Sequence, residues 1–417
     1  MLRLFILTLL AAVLARAEDF QGSDHPLEYD QPPISYTTST PADPVAALQK
    51  RILDGTEHLE FDDTFGYLPS LLKAFGISPA SQLLVFSKTS AQRKLISPET
   101  PRALYFSDDV YIGYIPGAPF MEISTVDPAL GGTFYTLEQD KVRRPKLTRN
   151  ADCLSCHGGQ RSLGVPGHFT RSIFTDPTGE INALEEVRDI SQCTPLADRW
   201  AGWYITGGSG TQPHRGNLIG EKDRALYKEE PLRRTNLTDL SQFFDSTRYQ
   251  AATSDIVAHL LHTHQTHMHN YIARLNIEAR EMLAAYGHVR YLHAQVDAFL
   301  SQLLFVEETP LTAPIIGIPE FQAAFAARAL RDKKGRSLRD LDLHTRLFKF
   351  PCSYLIYTPS FDAIAEPIRE QILGKLYDLL TGKVNDPEFA RLTPEDRTAI
   401  LEILRDTKPT LPAYWRE

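Results

Sequence analysis

The sequence lacks several features that mark common enzyme and membrane-protein classes. After residue 17, no apolar stretch reaches the roughly 20 residues that a membrane-spanning helix needs. There is no glycine-rich phosphate-binding loop, no HExxH zinc motif and no GxSxG nucleophile elbow. The 44 lysines and arginines are outnumbered by 52 acidic residues, which disfavours nucleic acid as a partner. Cysteine is scarce, with four in 417 residues, so the spacing of the cysteines is informative.

The first 17 residues have the pattern of a secretory signal peptide. Arg3 precedes the apolar run Leu4–Ala15, and the small-x-small triplet Ala15-Arg16-Ala17 follows. We therefore expect cleavage before Glu18 and a periplasmic or secreted mature protein. Removal of these residues leaves 42 basic against 52 acidic side chains, a formal charge of −10 that is compatible with a basic partner protein.

The hydrophobic pattern changes along the chain and predicts an α+β fold. Residues 18–45 carry Pro and Ser/Thr clusters without periodicity, which is typical of an extended leader. A short helix is predicted over Pro44–Leu53. Short β-branched and aromatic runs between residues 82 and 138 predict a small antiparallel sheet. A Gly-rich region at 153–220 follows and has few long periodic segments.

The second half of the chain, from residue 254 onward, is predicted to be mainly helical. Thr393, followed by a proline and two acidic residues, is a clear helix start. The proline-rich stretch 309–319 is the best candidate for an internal linker. We therefore expect a first domain at 46–308 and a helical region at 319–417 that packs on the same core.

Two of the four cysteines form the pattern CxxCH with the adjoining histidine: Cys153, Cys156 and His157. Two thiols at this spacing can add to both vinyl groups of one porphyrin, and the histidine can then ligate the iron. Zinc usually needs a second Cys or His pair, and no other CxxC is present. A redox dithiol normally opens a helix in a thioredoxin-like context, which Gly158-Gly159 does not suggest.

On these residues the sequence resembles the c-type cytochromes. The resemblance implies one covalent haem c per chain, with thioether bonds to Cys153 and Cys156 and with His157 as the proximal iron ligand. The segments LLVFSKTS, RWAGWYITG, HQTHMHN and FPCSYLIY are similar to a group of large exported single-haem bacterial proteins of undefined activity. This wider resemblance implies no particular reaction.

The ligand on the other face of the iron is less obvious. No methionine lies between His157 and Met268, unlike in small Met-ligated cytochromes. On a helix over 254–282, His264 and Met268 share one apolar face, so either is a candidate distal ligand. His214 is a third candidate, and we place His264 first. The alternatives are a hydrogen-bonded core histidine and a methionine that fills a gap. The predicted buried face consists of Val257, Leu261, His264, Met268, Tyr271, Leu275, Ala279 and Met282.

Several other residues have two interpretations. Histidines on the opposite side of that helix would form an accessory metal site or a solvated polar face: His259, His262 and His269. Three arginines are candidates for pairing with haem propionates: Arg161, Arg171 and Arg199. An aromatic cluster would pack on a flat cofactor or belong to the core: Trp200, Trp203 and Tyr204. Cys193 and Cys352 would form a disulfide or remain buried free thiols.

These features favour electron transfer, in which the haem iron cycles between Fe(II) and Fe(III) for a redox partner protein. A chain of about 400 residues is large for that task. The alternative is a haem enzyme with an open distal face that handles peroxide, a nitrogen oxide or a small organic substrate, with His264 as an acid/base. A haem-based sensor is a third class, and a two-haem peroxidase is disfavoured by the single CxxCH.

Overall fold

A computed structural model describes residues 26–181 and 187–416, and the predicted signal peptide at 1–17 lies outside them. The helices are α1 Pro44–Asp54, α2 Leu68–Ala74, α3 Leu154–His157, α4 Gly220–Glu229, α5 Ile256–Tyr286, α6 His293–Leu303, α7 Pro319–Ala326, α8 Pro359–Asp362, α9 Glu366–Thr381 and α10 Pro394–Thr407. The strands are β1 Leu83–Val85, β2 Arg102–Phe106, β3 Val110–Tyr114, β4 Phe120–Asp127, β5 Gly131–Glu138, β6 Leu147–Arg149, β7 Thr170–Ile173, β8 Val187–Ile190 and β9 Trp203–Tyr204. The fold is α+β, as predicted.

The main sheet has seven strands in the order β6-β5-β4-β3-β2-β1-β9, and every pair is antiparallel. It is larger than the small sheet that the sequence predicts, because β6 and β9 join it from outside the predicted region 82–138. Strand β9 has only two residues, too few for an alternating pattern to be recognised. A separate hairpin consists of β7 and β8.

Different parts of the chain lie against the two faces of the main sheet. Alternate residues such as Tyr135 and Leu137 face α1 and α2 and share a hydrophobic cluster with Val45 and Leu48. The intervening residues, among them Phe134, face the opposite side. That second face lies against α5 and the segment that carries the CxxCH motif.

Helix α5 is the centre of the molecule. It begins after Asp255, whose carboxylate accepts a hydrogen bond from the Ala258 N–H at 3.1 Å. It ends at Gly287, whose left-handed φ of 70° suits a residue without a side chain. Nearly every side chain from Ile256 to Ala279 is buried, so α5 has no solvated stripe over that length.

The C-terminal half is mainly helical and belongs to the same core. One hydrophobic cluster joins residues of β1 and α5 to residues of α9 and α10. Helix α10 begins with the predicted Thr393, in a capping box with Asp396. The predicted linker 309–319 is held in place by hydrogen bonds. The Gln212 side chain accepts from the Thr312 N–H and donates to the Ala313 carbonyl, at 2.7 Å each.

None of the helices within 26–181 and 187–416 combines the length and the apolar composition that crossing a membrane requires.

Candidate functional site

Cys156 and His157 lie on the short helix α3, just after the edge strand β6, and Cys153 is the residue that precedes the helix. Cys153 is half-buried and Cys156 is exposed, and both are free thiols. Burial raises the pKa of the Cys153 thiol to about 11, and the nearby Glu122 carboxylate adds to the rise. The helix end is held by Tyr29, whose hydroxyl donates to the Gly158 carbonyl at 3.2 Å. The motif is therefore fixed at one end and open to solvent at Cys156.

His157 is fixed by two contacts with Gly167. The His157 Nδ1 lies 3.0 Å from the Gly167 carbonyl oxygen, and the Gly167 N–H donates to the His157 carbonyl at 2.9 Å. Because a carbonyl oxygen only accepts, Nδ1 carries the proton and Nε2 keeps its lone pair. Nε2 has no hydrogen bond to any residue of the described chain. This is the arrangement that a metal-ligating histidine requires.

Two aromatic rings flank the His157 imidazole. Phe169 stacks at 4.8 Å between ring centroids, and Phe134 of β5 packs at 4.9 Å. Burial in these surroundings lowers the pKa of His157 to about 4, while the Gly167 hydrogen bond opposes that change. The imidazole is therefore neutral at neutral pH, as a metal ligand must be.

The segment after the motif is packed against β5 and α5 through glycines. A Cβ on Gly132 would lie 3.0 Å from the Gly167 backbone, and one on Gly167 would collide with the Asn270 side-chain oxygen. The Gly132 N–H donates to Pro166 O at 2.7 Å across this contact. The Gly-rich composition of the predicted loop region thus serves close backbone packing beside the motif.

Asn270 of α5 connects the helix to this segment. Its side-chain oxygen accepts from the His168 N–H at 2.9 Å, and its amide group donates to the His168 carbonyl at 2.6 Å. Because Gly167 precedes His168, Asn270 indirectly sets the position of the carbonyl that orients His157. Gly167, His168 and Asn270 were missed by the sequence analysis, since nothing local links a helix residue to a loop about 100 positions away.

The face of α5 that lies toward the motif is not the predicted one. His262 and Thr266 approach Thr170, while His269 bonds the Asp108 carbonyl at 2.8 Å. His264 is two residues from both His262 and Thr266, so at about 100° per residue it points to nearly the opposite side.

His264, the first candidate for distal ligand, is engaged there. Its Nδ1 lies 2.6 Å from Gln192 Oε1 and its Nε2 lies 2.7 Å from Ser353 Oγ. Met268 follows one turn later on the same side and is 1% exposed within the main hydrophobic cluster. His264 is thus a hydrogen-bonded core histidine, which was the alternative to a distal ligand. Neither His264 nor Met268 faces the motif.

His214, the third candidate, is also a core residue. Its Nδ1 accepts from the Gly216 N–H at 3.1 Å, and its ring packs against Trp200 at 5.6 Å. Trp200 is completely buried, and the Trp203 indole N–H donates to Arg171 O at 2.7 Å. These aromatic residues pack with α5 rather than on the motif.

His259, His262 and His269 do not form a solvated polar face, so that prediction is wrong. They are at most 5% exposed, because each has a polar partner inside the protein: Ser254 for His259, Thr170 for His262 and Asp108 O for His269. Within 26–181 and 187–416, no cluster of three or more His, Cys, Asp or Glu side chains is arranged to hold a metal ion. The predicted accessory metal site is therefore absent from the described chain.

The arginines proposed for haem propionates differ in availability. Arg199 is buried and donates to the carbonyls of Thr194 and Gln192 at 2.7 and 2.8 Å, so it is not available for a propionate. Arg161 is half-exposed and lies 3.7 Å from Asp189. Arg171 packs over the Phe169 ring at 5.4 Å, close to His157, and remains a candidate.

No disulfide joins Cys193 and Cys352. The Cys193 sulfur accepts a hydrogen bond from Gln302 at 3.7 Å. Cys352 is completely buried, and burial raises its thiol pKa. Cys352 is thus the buried thiol that was the alternative to a disulfide, whereas Cys193 is only half-buried.

No protein-family model, curated protein or solved structure matches the chain.

Proposed function

We propose that this chain is an exported c-type cytochrome that carries one haem, bound to Cys153 and Cys156 and ligated by His157. The observation that supports this proposal most directly is the Nδ1 contact of His157 with the Gly167 carbonyl, which leaves Nε2 free for iron. The partly open second face of the sheet beside α3 is compatible with a flat group there. The residues present therefore fit the haem that the motif implies.

We propose electron transfer with a partner protein as the function. A bound haem would supply an iron centre that cycles between Fe(II) and Fe(III). The chain would hold the imidazole in one tautomer through Gly167 and exclude water from it with Phe134 and Phe169. Cys156 is exposed, so the partner would approach the haem from the side of this residue. Export to the periplasm or beyond belongs to the same proposal.

A second function is favoured by the position of His264. Because both ring nitrogens of His264 are hydrogen-bonded, to Gln192 and Ser353, His264 is not available to ligate an iron held by His157. An open coordination position would suit a haem enzyme that acts on peroxide, a nitrogen oxide or a small organic substrate.

Covalent attachment is the first property to test. The full chain would be produced in a host that attaches haem c outside the cytoplasm, then examined for haem that survives denaturation. We expect covalent haem in the wild type, its loss in Cys153→Ser/Cys156→Ser, and its retention in the matched control Cys193→Ser. A wild-type protein without covalent haem would refute the proposal.

The spin state then separates the two functions. A low-spin haem that does not bind carbon monoxide would have both axial positions of the iron filled and would favour electron transfer. A high-spin haem that binds carbon monoxide would have an open position and would favour catalysis or sensing. His264→Ala and Met268→Ala would test the predicted distal ligands, and we expect neither to change the spectrum.

A further inference from the structure

A polar strip crosses the second face of the main sheet beyond His157. It consists of Thr136 on β5, Glu122 on β4 and Arg102 on β2, with Gly113 of β3 between the last two strands. Arg102 and Glu122 form an ion pair at 3.0 Å and are 19% and 20% exposed. Their side chains therefore lie at a surface that the protein leaves partly uncovered.

The orientation of His157 relates it to this strip. Gly132, Phe134 and Thr136 follow one another along the same face of β5, because side chains alternate along a strand. Gly167, which holds Nδ1, lies at Gly132, and the imidazole packs on Phe134. Nε2 lies on the other side of the ring from Nδ1. It is therefore directed along β5 toward Thr136 and the polar strip.

The strand register places the charged side chains beside this part of β5. Glu122 pairs with Thr136 across β4 and β5, and the Arg102 guanidinium lies over Gly113, within 2.8 Å of where a Cβ would stand. The His168 ring lies 6.5 Å from the His157 ring and packs on Tyr111 and Phe134. The polar strip begins at the next residue of the same face of β5, Thr136, which pairs with Glu122.

We propose that Arg102 and Glu122 flank the iron position opposite His157, and that this position binds a small anion from solution. The inference rests on the proposed haem attachment. Arginine stays protonated and cannot ligate iron, but it can donate hydrogen bonds to an anion. Its Nε is buried and has no hydrogen-bond partner in the described chain. The Glu122 carboxylate is occupied by Arg102 and by the Ser90 hydroxyl at 2.8 Å.

Azide and carbon monoxide, titrated by absorption spectroscopy on the haem-loaded full chain, test this assignment. Azide is an anion that binds ferric haem, whereas carbon monoxide is neutral and binds ferrous haem. We expect Arg102→Gln to weaken azide binding about tenfold or more, because a charged hydrogen-bond donor is lost. Carbon monoxide affinity should change by less than about threefold, because no charge is involved.

Two further variants separate a local charge effect from damage to the fold. Glu122→Gln leaves Arg102 without its counter-charge, so azide binding should become tighter. Arg234→Gln is the matched control, because Arg234 forms a comparable part-buried ion pair with Asp223 at 3.1 Å outside the polar strip. We expect this control to leave both affinities unchanged.

The outcomes distinguish this inference from the haem assignment. A covalent, low-spin haem that binds neither probe would overturn the open position but leave the attachment at Cys153 and Cys156 intact. Azide binding that is equal in wild type and Arg102→Gln would overturn the role of Arg102. Absence of covalent haem would overturn the proposed function and this inference with it.

Discussion

Replacement of Asn270 by alanine tests whether helix α5 sets the position of His157. The substitution removes both side-chain hydrogen bonds to the His168 backbone, at 2.9 and 2.6 Å. Asn270 is 1% exposed, so the His168 N–H and C=O would lose buried partners. At roughly 1–3 kcal/mol for each unsatisfied group, the free energy of unfolding should fall by about 2–6 kcal/mol. Water that enters the space left by the amide would place the loss toward the lower end.

Stability would be measured by urea denaturation and the site by the absorption spectrum of the haem-loaded protein. We expect a lower urea midpoint with an unchanged slope, because the native and unfolded states remain otherwise alike. We also expect a changed haem spectrum, because the Gly167 carbonyl that orients His157 adjoins the residue that Asn270 holds.

Asn276 provides the matched control on the same helix. Its amide donates to Pro128 O at 2.8 Å and its oxygen accepts from Ala365 N at 3.2 Å, neither of which contacts the motif. Asn276→Ala should lower stability by a similar mechanism and leave the spectrum unchanged. If Asn270→Ala loses stability but keeps the wild-type spectrum, the connection from α5 to His157 is refuted.

Two further predictions concern stability. Burial raises the pKa of Glu308 to about 7 from its ordinary 4.5, so the folded protein binds a proton that the unfolded chain releases. The contribution of Glu308 to the free energy of unfolding should therefore fall as pH rises from 4.5 to 7, opposite in sign to that of the buried histidines. At about 1.4 kcal/mol per pH unit, this loss amounts to roughly 3 kcal/mol. Glu308→Gln should abolish the loss when the free energy of unfolding is measured by urea denaturation at several pH values. A variant with the same pH profile as the wild type would contradict the burial argument. Thr393→Ala removes the capping box of α10 and should lower the free energy of unfolding by about 1 kcal/mol. Thermal unfolding would measure the loss, with Thr398→Ala as the control, because the Thr398 hydroxyl bonds a carbonyl within the helix. Equal losses in the two variants would contradict a specific role of the cap.

Local signals in the sequence predicted local structure well. The helix predicted over Pro44–Leu53 is α1, which ends one residue later, and Thr393 begins α10 as expected. Both depend on neighbouring residues, namely a proline at the first turn and a capping side chain. The motif residues were likewise recognised from spacing alone.

The environment of α5 was not predicted, because polar side chains were assumed to face water. Residues 256–273 contain many His, Gln, Thr and Asn but no Lys, Arg, Asp or Glu. That absence of charge was the available signal, since buried polar groups are tolerated when each has a hydrogen-bond partner. The partners come from distant segments, such as Ser353 for His264, and no local pattern reveals them.

The central position of α5 has a consequence for acid. Burial lowers the pKa values of its histidines to about 3 for His262 and His264 and to about 4 for His269. In the unfolded chain these imidazoles take up protons near pH 6.5, so every step below that pH favours the unfolded chain until the folded values are reached. Because these imidazoles lie on the helix around which both halves pack, they can be protonated in mild acid only when the packing around α5 is disrupted.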